Sequence, residues 1–245
     1  MSGHSKWATI KHAKGAADAR RGRMFTKFIK EISIAAKMGG GDPDSNPRLR
    51  TAITKARGAN MPKDNITRAI KKGTGDLGSV VYEEKLYEGY GAGGIAILVE
   101  VLTDNNNRTS AEIRNLFNKS GGNLGATGSV AYMFKRLGQI VYDADVVSED
   151  EVMDVALEAG AEDIVSEEGI ITVTTDPSDF NDIVDVLNEQ GFVSLSASVD
   201  MVPDLYTDID RETAEKVQKL VDKLEENDDV QNVYTNADYP DDFEG

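Results

Sequence analysis

The chain has 245 residues and a formal charge of −16. Its 40% hydrophobic content supports packed cores and excludes wholesale disorder, and no apolar run approaches the roughly 18 residues of a membrane span. Without cysteine, and with only His4 and His12, it cannot build disulfides, thiolate or multi-histidine metal centres, or a cysteine nucleophile. The opening Met1-Ser2-Gly3-His4-Ser5-Lys6-Trp7 lacks an apolar core for a secretory signal. With the missing cysteines this sets the expectation of a cytoplasmic protein.

The summed charge conceals a division. Residues 1–78 hold 17 Lys and Arg against six Asp and Glu, whereas residues 79–245 hold ten against 37. A swing of that size predicts parts with different partners.

The basic part opens with an arm, Gly3-His4-Ser5-Lys6-Trp7-Ala8-Thr9-Ile10-Lys11-His12-Ala13-Lys14. Lys6, Lys11 and Lys14 can follow phosphates, and Trp7 either stacks on a base or packs onto the module behind it. Residues 18–38 follow, with Met24, Phe25, Phe28, Ile29, Ile32, Ala35 and Ala36 recurring at helical spacing. At about 100° per residue, Arg20, Arg23, Lys27, Lys30 and Lys37 fall on the opposite side as a basic stripe. A second helix is predicted from Asn46-Pro47, with Asn as N-cap and Pro at the first helical position. Leu49, Ala52, Ile53 and Ala56 form its apolar face, and Arg48, Arg50, Lys55 and Arg57 carry charge. A third, short helix turns Ile66, Ala69 and Ile70 inward and Lys63, Arg68, Lys71 and Lys72 outward, with Gly73 as C-cap. Three such helices sharing an apolar seam predict a small bundle.

After a linker at 74–79, strands are predicted over 82–90 and 95–103, joined by Gly91-Ala92-Gly93-Gly94. A helix built on Ile113, Leu116 and Phe117 is stopped by Gly121-Gly122-Asn123-Leu124-Gly125, and 130–134 reads as a further strand. The next segments run strand 139–142, helix 149–159, strands 163–166 and 170–175, helix 177–189 and strand 193–202. This β-α-β-β-α-β order is ferredoxin-like. A last helix at 212–224 and strand at 230–234 need a sheet, and the 82–134 unit lacks a covering helix. The expected fold is therefore α+β and multidomain: a helical module at 1–78, a discontinuous α+β domain of 79–136 plus 205–245, and a ferredoxin-like domain of 137–204 inserted into it.

Three further features bear on chemistry. Gly73-Thr74-Gly75-Asp76-Leu77-Gly78 and Gly89-Tyr90-Gly91-Ala92-Gly93-Gly94 match G-x-G-x-x-G, but the first follows a helix and the second leads into a strand, so both read as turn glycines. Acid pairs such as Asp143 with Asp145, and Asp228-Asp229, are expected from density alone, leaving a metal-dependent nuclease as a minor alternative. Asp104-Asn105-Asn106-Asn107-Arg108-Thr109 reads as turn and N-cap material, with base or backbone reading as the alternative.

Several of these stretches resemble the YebC family, a bacterial and organellar group of probable transcriptional regulators. They are residues 3–12, Arg21-Gly22-Arg23-Met24-Phe25-Thr26-Lys27, Gly39-Gly40-Gly41-Asp42-Pro43, Asn46-Pro47-Arg48-Leu49-Arg50, Ala59-Asn60-Met61-Pro62-Lys63-Asp64-Asn65-Ile66, Tyr87-Glu88-Gly89-Tyr90-Gly91, Leu102-Thr103-Asp104-Asn105, Gly121-Gly122-Asn123-Leu124 and Asp228-Asp229-Val230-Gln231-Asn232-Val233-Tyr234. Ala92 stands where the family often has proline. The resemblance implies three domains and gene regulation linked to nucleic acid, at the level of DNA-bound transcription control or of translation on the ribosome, and it supplies no catalytic residues.

The reading as a whole is a non-enzymatic, probable transcriptional regulatory protein without cofactor or metal. It would bind DNA through Lys6, Trp7, Lys11, Lys14, Arg20, Arg21, Arg23, Lys27, Lys30, Arg48, Arg50, Lys55 and Arg57. The alternative is a ribosome-associated translation factor binding RNA. Neither a helix-turn-helix nor an RRM-type aromatic motif is evident. The acidic body would repel phosphate and so restrict docking to one orientation, leaving its α+β domains for a second, basic protein partner. No membrane partner is expected.

Overall fold

The computed structural model describes residues 17–77, 81–167, 169–240 and 243, with the side chains of 17–21 outside the description. No helix among the described residues is long and apolar enough to cross a membrane. Two compact units divide the described residues, one taking 17–129 together with Lys216–Val233, the other Val130–Glu215 together with those from Tyr234 onward.

The first unit begins with three helices, α1 (Ala17–Gly39), α2 (Pro47–Gly58) and α3 (Lys63–Thr74). Their shared core joins Ile32, Ala35 and Ala36 of α1 to Leu49, Ala52, Ile53 and Ala56 of α2, and to Ile66 and Ala69 of α3. Asn46 fastens two helix ends at once. Its side chain accepts from the Leu49 N–H at 3.1 Å as the α2 N-cap. Its amide nitrogen donates to the carbonyls of Ala35 and Gly40 at 2.8 and 2.9 Å, satisfying the open end of α1. Gly73 is not the α3 C-cap; that position is Gly75, in the left-handed region at φ 92°. Gly73 lies two residues earlier, inside α3, where a Cβ would stand 2.2 Å from the Ser33 carbonyl oxygen of α1. The glycine allows a close helix crossing.

The same unit holds a sheet in the order β3-β1-β2-β9, with β1 (Glu83–Tyr90), β2 (Ala96–Thr103), β3 (Asn123–Leu124) and β9 (Val230–Thr235). β1 and β2 form an antiparallel hairpin in which Tyr90 faces Ala96. As expected, the last strand returns to this sheet, beside β2. α4 (Asn106–Lys119) and α7 (Arg211–Glu225) contribute buried Ile113, Phe117, Val217, Leu220 and Leu224. Gly89 is needed beneath α4, since a Cβ there would meet Phe117 at 2.6 Å. The predicted strand at 130–134 is not one: residues Ala131–Met133 form a single 3-10 turn, and Phe134 opens the next sheet. The third strand is instead Asn123–Leu124, inside the glycine-rich stretch read as a helix stop.

The second unit carries the β-α-β-β-α-β order intact: β4 (Phe134–Asp143), α5 (Glu149–Glu158), β5 (Asp163–Glu167), β6 (Ile170–Thr175), α6 (Phe180–Glu189) and β7 (Ser196–Pro203). The strands lie in the order β5-β6-β4-β7, antiparallel throughout, as the ferredoxin-like arrangement requires. Ile140, Tyr142, Ile171 and Val173 pack against Val152 and Ala156 of α5 and Phe180, Ile183 and Leu187 of α6. Two short strands, β8 (Thr207–Asp208) and β10 (Ala237–Asp238), pair in parallel.

Candidate nucleic-acid interface

Burial of one face fixes what the other face of α2 and α3 presents. Leu49, Ala52, Ile53 and Ala56 are buried, so Arg50, Lys55 and Arg57 stand in solvent. Ile66 and Ala69 are buried, so Lys63, Arg68, Lys71 and Lys72 are exposed in the same way. Among the described residues none of these seven cations is engaged by a carboxylate. Arg68 alone is oriented locally, donating to the Asn65 side-chain oxygen at 2.8 Å. Lys63, Arg68, Lys71 and Lys72, outward in the sequence pattern but outside the expected contact set, are exposed on a second helix.

The stripe expected on α1 needs correction. Lys30 is only 8% exposed. Its ammonium donates to Asp229 Oδ1 at 2.6 Å and to the Asp228 carbonyl at 2.8 Å, and lies 5.8 Å from the centre of the Tyr82 ring. Lys27 is half-buried and donates to the Glu225 carbonyl at 2.8 Å, closing the C-terminal end of α7. Burial pushes the Lys27 ammonium below the usual lysine range, against the pull of Glu225 and Asp228. Arg23 is half-buried. The reason is that α1 has neighbours on two sides. A helical wheel separates its apolar face correctly but gives no sign that a second layer covers the other side.

Arg48 is also occupied. Its guanidinium holds Glu31 in a two-point pair at 2.8 and 3.2 Å and also bonds Glu84. These carboxylates outweigh its partial burial and hold it charged. Lys6, Trp7, Lys11 and Lys14 lie outside the described residues. Arg20 and Arg21 fall within α1, but their side chains lie outside the description. Of the expected residues, the structure leaves Arg50, Lys55 and Arg57 exposed on α2 and engages Lys27, Lys30 and Arg48 as ties.

The centre of those ties is Asp229, one of the acids that density alone leads one to expect. Besides Lys30 it accepts from Arg108 at 2.7 Å and from the Thr109 hydroxyl at 2.6 Å. Arg108 also reaches Asp104 at 3.0 Å. Burial pushes the Asp229 carboxyl up, but hydrogen bonds from Arg108, Lys30 and Thr109 outweigh it and hold the group at about 2. In the 104–109 loop the Asn105 side chain accepts from the Arg108 N–H at 3.1 Å as the α4 N-cap, and Asn106 accepts from the Tyr87 hydroxyl at 3.0 Å. These are capping and bracing roles. Among the described residues, no group of three or more acids and histidines gathers to hold a metal.

Comparison with known proteins covers nearly the whole chain. Residues 5–76 match the model of the TACO1/YebC protein N-terminal domain, and residues 82–237 match that of the TACO1/YebC second and third domain. A probable transcriptional regulatory protein of Treponema denticola is 71% identical over 244 residues, covering 100% of this chain and 99% of that one. One of the same name from Syntrophus aciditrophicus is 57% identical over 244 residues, covering 99% and 98%. The crystal structure of a conserved hypothetical protein from Aquifex aeolicus superposes with a TM-score of 0.84 at 47% identity, covering 95% of this chain and 96% of that one.

Proposed function

This chain belongs to the TACO1/YebC family, and from that membership we propose that it is a non-catalytic gene regulator that holds duplex DNA by its phosphate backbone. The contact surface is the outward side of α2 and α3: Arg50, Lys55, Arg57, Lys63, Arg68, Lys71 and Lys72. The observation that carries this reading is that these seven cations are exposed and lack carboxylate partners among the described residues, in a chain whose net charge is −16. Guanidinium and ammonium groups kept in water at helical spacing cost little to hold and release counterions when phosphates replace solvent. Residues 79–245, with 37 acids, repel phosphate and leave one productive orientation. The name carried by the curated relatives, probable transcriptional regulatory protein, agrees in kind.

The reading is tested by measuring affinity for duplex DNA against salt. Neutralising about six phosphates gives a slope of about −5 in log affinity against log salt. A slope near zero removes the proposal. Binding confined to ribosomal RNA, with duplex DNA ignored at low salt, moves the function to translation.

A further inference from the structure

Outside the helical module the chain has ten lysines and arginines among 37 acids. Several are paired at once: Arg108 with Asp104 and Asp229, Lys135 with Asp204, and Lys85 with Glu83. Four lysines share one lining. Lys119, Lys216, Lys219 and Lys223 line one cleft of about 420 Å³, together with Ala92, Ser120 and Gly121 and with no acid in the lining.

Two helices build it. Lys119 is the last residue of α4 and Ser120 its C-cap. Lys216, Lys219 and Lys223 follow one another at i, i+3 and i+7 along α7, on one face. Lys119 and Lys223 lie in the last turns of their helices, where a cation favours the helix dipole. That explanation does not extend to Lys219, which sits in the middle of α7 and lines the same space. Lys223 also borders a neighbouring cleft of about 260 Å³ that includes Glu112 and Glu226. Lys119, Lys219 and Lys223 have no carboxylate partner among the described residues. A separate observation points to the same place. The Ser120 hydroxyl oxygen is shut from solvent and makes no hydrogen bond within the protein. Such a group is uncommon in a folded chain.

We propose that this cleft is a binding site for closely spaced phosphate groups, distinct from the outward faces of α2 and α3. Ammonium groups bind phosphate as point charges, and several converging on one acid-free cleft match a ligand of dense negative charge better than a lone carboxylate. The volume exceeds that of a single phosphate and suits two or three in a row. That chemistry is shared by a free polyphosphate and by a stretch of nucleic-acid backbone.

The test uses the full chain, with calorimetric titration of tripolyphosphate and anisotropy of a duplex DNA 20-mer. The variants are Lys219→Glu and Arg114→Glu, which change the net charge equally, Arg114 being exposed on α4 outside the cleft lining. Circular dichroism checks that each stays folded, and Ser120→Ala provides a second probe without charge change. Tripolyphosphate binding weakened about tenfold by Lys219→Glu but not by Arg114→Glu supports a free polyphosphate ligand. No tripolyphosphate binding, with duplex affinity lowered selectively by Lys219→Glu, supports a second grip on the backbone. Equal effects of the two charge variants, or none in either assay, overturn the proposal. Arg50→Glu with Arg57→Glu tests the helical surface separately, so failure at one site is distinguishable from failure at the other.

Discussion

Lys30 and Asp229 meet at 2.6 Å although 199 positions separate them in the chain, and the pair is almost fully out of water. It joins α1 to the turn that precedes β9. Asp229→Ala leaves the Lys30 ammonium buried without its carboxylate and should cost about 3–5 kcal/mol of stability, and Lys30→Met should cost less, because Arg108 and Thr109 still bond Asp229. The double variant should cost clearly less than the sum. Urea unfolding of the four proteins measures the coupling, and additive losses would contradict it.

Acid stability should depend on the same carboxylate. Asp229 is held at about 2 in the folded chain, while an unfolded aspartate titrates near ~3.9. Its folded value is depressed, so its contribution is fully present above about pH 5 and is lost as pH falls through 4 toward 2. The size of this loss is about 2 kcal/mol. Stability of Asp229→Asn against pH should be flatter over that window than that of the unaltered chain. An identical slope would show that other carboxylates carry the acid response.

Arg48 and Arg50 are two residues apart and have different tasks. Arg48→Ala should lower the melting temperature, because it releases Glu31 and Glu84, and should leave duplex affinity within about twofold. Arg50→Glu with Arg57→Glu should leave melting nearly unchanged, reduce affinity at low salt by more than tenfold, and flatten the salt slope by about 2. The reverse pattern would place the contact surface elsewhere.

Gly73→Ala should be costlier than Gly75→Ala. At Gly73 the new methyl meets backbone, the Ser33 oxygen at 2.2 Å, so α1 and α3 must separate, at about 1–3 kcal/mol. At Gly75 nothing stands within 4 Å, and the cost is the left-handed backbone alone, about 1 kcal/mol. Thermal melts of the two variants rank them.

The helical periodicity of 18–38 and the Asn46-Pro47 start located α1 and α2 closely, because caps and apolar spacing are local signals. The returning C-terminal strand was legible from a different kind of evidence, a sheet left without cover and a helix and strand left without a sheet. Three things were not legible. Lys30 looks like any outward cation on a wheel, since its partner lies 199 positions away. Gly73 looks like a helix stop, since the close approach that requires it belongs to another helix. Val130–Phe134 has strand composition, yet a turn at Ala131–Met133 spends those residues on a corner. The first two misses come from contacts made by tertiary packing, to which local pattern is blind. The lysines of α7 were legible one at a time but not as a set, because Lys119 joins them only in the fold.

The pairing order β3-β1-β2-β9 also has a bearing on how the protein is made. Strand β2 emerges from the ribosome more than a hundred residues ahead of β9, so its flank stays uncovered through most of synthesis. The β4–β7 sheet, whose strands are contiguous in the message, can close while the tail is still being translated. A chain cut short before Val230 would therefore present a naked hydrogen-bonding edge, open to pairing with other nascent chains.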